Sequence, residues 1–224
     1  MAQAASVEGR KLGGQQIGES VFDVAYLVFV IGAGIFMIAS AAGRPALLWY
    51  GIMAVTLGAG DSFHLVPRVL GYLVDAERWA RPKAIGKACT SVTMTAFYVI
   101  LYLNAANLLG ATPPTWLTIL VWVLALVRVV LCLMPQNRWT SGGDVRWGII
   151  RNVPFAALGI VVAATYAVWG AGTSFSLVWL AILLSFGFYL PVVLWADTKP
   201  QVGMLMIPKT CAYVWLVCMG FSLL

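Results

Sequence analysis

The sequence predicts an all-α, polytopic transmembrane helix bundle of about seven spans. Three observations carry that expectation. Hydrophobic residues make up 62% of the 224 residues and charged residues only 10%, where a soluble domain carries about 25% charge. The apolar residues fall into seven runs of the roughly 20 residues that a helix needs to cross a bilayer. These runs contain Gly and Pro and show no period-2 alternation, which favours helices over a barrel. No connecting stretch is long enough for a soluble module, so residues 1–224 read as one transmembrane domain with a polar segment, 1–20, at its start.

Span one is expected over 21–42. Arg10 and Lys11 precede it, and Ala39-Ser40-Ala41 imitates a signal-peptide cleavage site. Against cleavage, about twenty residues precede the apolar run, and Glu8, Glu19 and Asp23 accompany them. Span two, 46–68, ends in a cluster of ionisable residues. Span three, 88–110, brings Thr90, Ser91, Thr93, Thr95 and Tyr98. Span four, 115–134, carries Arg128 shortly before Pro135. Span five, 152–171, opens with Arg151-Asn152. Span six, 174–195, ends with Tyr189 and Pro191, followed by Asp197 and Lys199, which read as a loop pair. Span seven, 202–223, carries Lys209 and Tyr213.

The net charge of +6 is distributed unevenly. Arg10 and Lys11, then Arg78, Arg81, Lys83 and Lys87, then Arg138, Arg146 and Arg151, and finally Lys199 all fall on one side of the predicted spans. Arg44 alone falls on the other. The positive-inside rule then places the N-terminus in the cytoplasm and the C-terminus outside, as a multi-pass protein of the cell membrane. The basic charge is a topology signal with some attraction to anionic lipids, and nucleic acid is a poor explanation for it. Trp49, Trp116, Trp169, Trp179 and Trp195 lie near span ends and read as interface belts.

Cys89, Cys132, Cys211 and Cys218 form no C-x-x-C pair and read as small packing residues. With one histidine and no cysteine cluster, a zinc set cannot be assembled. No metal or cofactor is expected.

The segment Gly60-Asp61-Ser62-Phe63-His64-Leu65-Val66-Pro67-Arg68 is the most informative part of the chain. Each ionisable side chain at membrane depth costs roughly 2.5–3.5 kcal/mol on insertion scales, and such residues face a bundle interior or a wet cavity. At 3.6 residues per turn, positions 61, 64 and 68 fall on one helix face and can meet one ligand. With the predicted topology, Arg128, Lys209 and the polar residues of spans three and five to seven gather at the same depth. Pro67, Pro191 and Pro208 would each free a helical carbonyl there, pointing to a wet cavity at the cytoplasmic side. Blander readings stand beside these. Asp61 could instead be an interhelical tie to Arg128 or Lys209, and His64 a packing histidine, each the lesser of its two readings. Arg68, Arg128 and Lys209 could snorkel to the interface.

Gly-Asp late in a span, followed by an apolar stretch and Val-Pro-Arg, resembles the lysoplasmalogenase-like (YhhN) integral membrane proteins. Gly86, the run Thr95-Ala96-Phe97-Tyr98 and the final helix with Tyr213 resemble them more loosely. The resemblance implies a multi-span hydrolase that cleaves the vinyl-ether bond of a lysoplasmalogen to a fatty aldehyde and a glycerophospho-base. It carries over Asp61 alone as catalytic. The chain departs from the pattern in having one span fewer, Thr95 where a histidine is common, and no second buried acid in a late span.

The chemistry fits the residues independently. Vinyl-ether hydrolysis needs an acid that protonates the alkene carbon and a base that orients water. Asp61 and His64 suit those two roles. Arg68, Tyr98, Arg128, Asn152, Lys209 and Tyr213 are the candidate substrate-binding residues, the cations holding a phosphate. The expected partners are a lysophospholipid or other lipid substrate and the surrounding membrane lipids. The same groups would suit proton-coupled transport of a small solute. Lys209 in the last of seven spans also raises a retinal-type photoreceptor, although span three offers no carboxylate counterion.

Overall fold

The computed structural model describes residues 13–196 and 198–224. The described residues contain helices and no strands. The helices are α1 (Gly14–Ala39), α2 (Pro45–Leu73), α3 (Ala76–Leu103), α4 (Ala105–Leu109), α5 (Thr115–Leu133), α6 (Val145–Trp169), α7 (Val178–Trp195) and α8 (Met206–Met219). Short 3-10 turns cover Pro135–Asn137, Pro200–Leu205 and Gly220–Leu223. Seven segments are long and apolar enough to cross a membrane, with α4 continuing α3. The chain is a polytopic transmembrane helix bundle.

Each spanning helix packs on its neighbour in sequence, and α8 returns to α1 to close the ring, while α3 reaches across to α6. Two contacts fix the ends. Tyr72 at the end of α2 donates to Glu19 at the start of α1 (3.0 Å). At the opposite end Arg44 donates to the carbonyls of Leu223 and Leu224 (2.8 and 2.9 Å). The first of these ends, which carries the starts of α1, α3, α6 and α8, is called the basic end below.

Local chemistry explains the boundaries. Pro45 opens α2, where its missing N–H would have no helical partner. The preceding turn bends through Ala42 and Gly43, both at positive φ. Asp75 caps α3 by accepting from the amides of Glu77 and Arg78 (2.9 and 3.2 Å). Asp144 caps α6 through the Trp147 amide (3.0 Å). Such caps satisfy amides that a helix start leaves unpaired.

The helices overrun the predicted spans mainly at the basic end. The first starts at Gly14 within the polar segment, and α3 starts twelve residues before the expected 88. Lys83 and Lys87 are therefore helical rather than loop residues. Span six instead starts later than 174, because the Thr173 hydroxyl accepts from the Phe175 amide (3.1 Å) and holds a turn there. Arg10, Lys11 and Asp197, and with it the Asp197–Lys199 pair, lie outside the described residues.

The proline expectation needs correction. Pro208 lies in the first turn of α8, where an amide has no helical acceptor to lose. Pro67 does free the Phe63 carbonyl, but Gly86 of α3 packs directly against that oxygen. Pro67 and Gly86 line an open groove of about 500 Å³ between α2 and α3, and neither Pro67 nor Pro208 lines the cleft or the chamber described below. The tryptophans divide: Trp49, Trp116 and Trp195 are exposed, whereas Trp169 and Trp179 pack on the core. Of the cysteines only Cys132 is buried, while Cys211 and Cys218 face outward.

The half of the bundle away from the basic end is a sealed apolar core. Three of its polar side chains donate to backbone carbonyls: Tyr50 to Leu216 (2.6 Å), Tyr166 to Leu101 (2.9 Å) and Asn104 to Ala46 (2.9 Å).

Candidate functional site

The face predicted on α2 exists. Asp61, His64 and Arg68 line one narrow cleft together with Glu19 and Asp23 of α1 and Lys209 of α8. Its volume of about 50 Å³ is room for a water or two. Each of the three α2 residues has its own partner. Tyr26 donates its hydroxyl to Asp61 Oδ2 (2.7 Å). Arg68 forms an ion pair with Asp23 through Nη2, and its Nε donates to the same oxygen at 2.9 Å. Asp61 is thus tied to a phenol on α1, and neither Arg128 nor Lys209 is its ion-pair partner. Arg68 does not snorkel, because a carboxylate on α1 holds it.

His64 is oriented by α3. Its Nδ1 lies 2.8 Å from Thr90 Oγ1, and that hydroxyl donates to the Gly60 carbonyl at 2.8 Å. The hydroxyl has one proton, and a carbonyl can only accept. Both contacts are satisfied only if His64 Nδ1 carries its hydrogen and donates it to Thr90. In the neutral ring Nε2 then keeps a free lone pair. Thr90 fixes the tautomer as well as the position, a constraint of the kind that tunes histidine bases.

His64, Arg68 and Lys209 also line a second, larger space of about 380 Å³. This chamber is walled by α2, α3, α5, α6, α7 and α8. Arg68, Lys83, Lys87, Arg128, Arg151 and Lys209 contribute to its lining, and among the described residues no Asp or Glu does. His64, Arg68 and Lys209, with Gly203 and Met206, are shared by the two spaces and form a divider, with carboxylates in the cleft on one side and cations in the chamber on the other. The chamber shares Lys83, Lys87, Trp139, Arg151 and Tyr189 with a vestibule of about 770 Å³ at the basic end.

Arg128 is 1% exposed, so the snorkelling reading fails. One of its terminal nitrogens donates to the Arg151 carbonyl. Its guanidinium lies over the Phe155 ring at 4.6 Å, and its Nε finds no acceptor among the described residues. Lys209 is 9% exposed and does not snorkel either. Its Nζ sits 5.1 Å from the Tyr189 ring and 5.0 Å from the Tyr213 ring. Arg151 lies over Trp139 at 4.2 Å and donates to Asn137 Oδ1 at 2.8 Å.

Two predicted binding residues lie elsewhere. Tyr98 is fully buried below the chamber, its hydroxyl near Ser185 and Tyr213 (3.3 and 3.5 Å). Asn152 donates to the Gly148 carbonyl (2.8 Å) and accepts from Tyr189 (3.0 Å), tying α6 to α7 beside the vestibule. Tyr213 does line the chamber. Sequence reasoning missed Asp23 and Tyr26 as site residues. Glu19, Asp23 and Tyr26 recur at i, i+4 and i+7 on α1, a polar stripe that matches the face on α2.

Fold and site together define a polytopic membrane protein with a polar chamber in the basic half of the bundle, adjoining a vestibule at that end. No protein-family model, curated protein or solved structure matches the chain.

Proposed function

We propose that the chain is an integral membrane lipid hydrolase, with Asp61 as general acid and His64 as the group that orients and deprotonates water. The observation that carries this reading is the position of His64. It stands on the divider, with its tautomer set by Thr90, between the cleft that holds Asp61 and the chamber lined with cations. The likeness of Gly60–Arg68 to lysoplasmalogenase-like proteins points to a vinyl-ether bond. The chamber supplies Arg and Lys groups for a lipid phosphate, and the positive-inside rule sets the headgroup on the cytoplasmic side.

The steps balance as follows. Asp61 gives a proton to the alkene carbon distal to the ether oxygen, leaving an oxocarbenium ion. Water, losing its proton to His64 Nε2, adds to the carbon attached to oxygen. The resulting hemiacetal collapses to aldehyde and alcohol, and the proton held on His64 returns to Asp61.

Transport is the second reading, and nothing in the geometry favours it. Phe155 and Tyr213, which line the chamber, pack ring against ring with Phe97, Tyr98 and Phe186 below it, with centroids 5.0–5.7 Å apart. A photoreceptor would need an apolar slot at Lys209, where this lining is cationic.

The test is mass spectrometry of 1-O-alkenyl lysophosphatidic acid, of lysoplasmalogens with a base headgroup and of ester lysolipids, each incubated with purified protein. Aldehyde released by the wild type and lost in Asp61→Asn and His64→Gln is the expected result. Aldehyde release that persists in folded Asp61→Asn, or none from the folded wild type, would overturn the reading.

A further inference from the structure

We propose that the chamber binds a phosphate monoester or diphosphate group and rejects zwitterionic headgroups. The inference names the substrate class of the hydrolase site proposed above, but its own argument is one of charge and does not depend on any bond being cleaved.

The first ground is the lining. Six Arg and Lys side chains and His64 line one space, no carboxylate lines it among the described residues, and of the six Arg68 is paired with Asp23 from the cleft side. Arg128, Arg151, Lys209 and Lys83 have no carboxylate within ion-pairing distance among the described residues. The acids nearby are committed or lie outside the chamber. Asp61 and Asp23 are in the cleft, bonded to Tyr26 and Arg68. Glu77 and Asp144 line the wider vestibule, where Asp144 caps α6.

The second ground is Arg128. A guanidinium 1% exposed, bonded only to a carbonyl and stacked on a ring, with Nε lacking any acceptor among the described residues, is an uncompensated buried cation. Leaving such a charge without a partner is costly. A multiply charged oxyanion supplies the missing acceptors.

The third ground excludes the alternative headgroup. A choline or ethanolamine cation needs a carboxylate or a cage of aromatic faces. Four rings line the chamber, and each already carries a protein cation. Lys209 lies on Tyr189 and Tyr213, Arg128 on Phe155 and Arg151 on Trp139. A headgroup ammonium entering there meets cations of its own sign. A phosphate monoester brings a charge of about −1.5 to −2 at neutral pH and three acceptor oxygens, whereas a choline phosphodiester brings no net charge.

The decisive experiment measures binding to wild-type protein in a non-ionic detergent by isothermal titration calorimetry. The probes are 1-O-alkyl lysophosphatidic acid, the 1-O-alkyl lysophosphatidylcholine of the same chain length, and inorganic pyrophosphate. The saturated ethers have no vinyl-ether bond, so binding is read apart from the chemistry. The expected result is at least tenfold tighter binding of the phosphate monoester than of the choline lipid, with at least tenfold loss in Lys209→Met and a smaller loss in Lys83→Ala. Pyrophosphate binding as tightly as the lipid identifies a soluble phosphate as the natural source. A gain of tenfold or more from the alkyl chain identifies a lipid. Equal affinity for the two ethers, or no change in folded Lys209→Met and Lys83→Ala, overturns the proposal. Selective binding with no aldehyde from any vinyl ether would refute the hydrolase and leave the headgroup site standing.

Discussion

Substituting Gly86 by alanine tests the joint that orients His64. A Cβ at Gly86 would lie 2.7 Å from the amide nitrogen of His64, and closer still to the Phe63 carbonyl that Pro67 leaves without a helical donor. Ordinary contact begins near 3.4 Å, so α2 and α3 must separate locally by at least about 0.7 Å. The obstacle is backbone on a helix, which cannot rotate away as a side chain would. Overpacking of this kind costs about 1–3 kcal/mol. The same displacement stretches the 2.8 Å contact between His64 and Thr90 to the limit of a hydrogen bond, worth about 0.5–1.5 kcal/mol more. The total, roughly 2–4 kcal/mol, corresponds to a fall in melting temperature of about 4–16 °C for a chain of this size. The assay is thermal unfolding of the purified protein in detergent, with aldehyde release measured in parallel. Gly32→Ala on α1 is the control, since a Cβ there meets nothing within 4 Å. It should leave the melting temperature unchanged or raise it slightly, because alanine favours a helix. If Gly86→Ala melts within a degree of the wild type, the close approach of α2 to α3 is not what holds His64 in place.

Thr90→Val removes both the acceptor for His64 Nδ1 and the donor to Gly60. Nitrogen NMR of the single histidine should lose the Nδ1–H tautomer signature, and turnover of the hydrolysed lipid should fall with KM little changed. An unaltered histidine spectrum would break the tautomer argument. Asp23→Asn leaves Arg68 facing a neutral amide in place of a carboxylate. Since the Arg68 side chain is 26% exposed, solvent offsets part of the loss, and a destabilisation of about 1–3 kcal/mol is expected in thermal unfolding. The double variant Asp23→Asn/Arg68→Gln should recover part of it, and strict additivity of the two single changes would show that the pair is not coupled. Saturating the chamber with 1-O-alkyl lysophosphatidic acid at 100 times its Kd should stabilise the wild type by about 2.7 kcal/mol. The shift should be smaller in Lys209→Met at the same concentration, and equal shifts would remove Lys209 from the site.

Periodicity and composition were enough for the helical class, the seven spans and the shared face of Asp61, His64 and Arg68, because each depends on local spacing. Partner choice was not local. Whether Asp61 meets Tyr26, Arg128 or Lys209 depends on the rotation and depth of three helices relative to one another, and one sequence does not encode that in any window. Span boundaries failed for a different reason. The start of α3 is charged through Arg78, Arg81, Lys83 and Lys87, so hydropathy placed it in a loop. The cap at Asp75 and the acidic Glu77 behind it marked a helix start in the same residues. Reading those cations only as topology signals hid Lys83 and Lys87 from the candidate site, although both line the chamber. Arg151 was hidden in the same way.

The contrast between Arg68 and Arg128 shows what the fold does with buried charge. Both are arginines in the basic half of the bundle. Arg68 is met by a carboxylate of α1, so its charge is balanced within the protein and the α1–α2 joint is fixed without a ligand. Arg128 lies deeper, at 1% exposure, and is met by one carbonyl and one ring face. Had the bundle needed only an interhelical tie at this depth, a neutral side chain donating to the Arg151 carbonyl would have served at far lower desolvation cost. A guanidinium with an idle donor becomes economical only when an anion shares the space. Lys209 and Arg151 obey the same logic, each resting on aromatic faces instead of acids. Aromatic faces hold a cation weakly enough, about 0.5–2 kcal/mol, for an oxyanion to draw it inward. A carboxylate would hold it too firmly. Acids line the cleft and not the chamber among the described residues, while Arg68 and Lys209 reach both, the division of charge on which the proposed phosphate site rests.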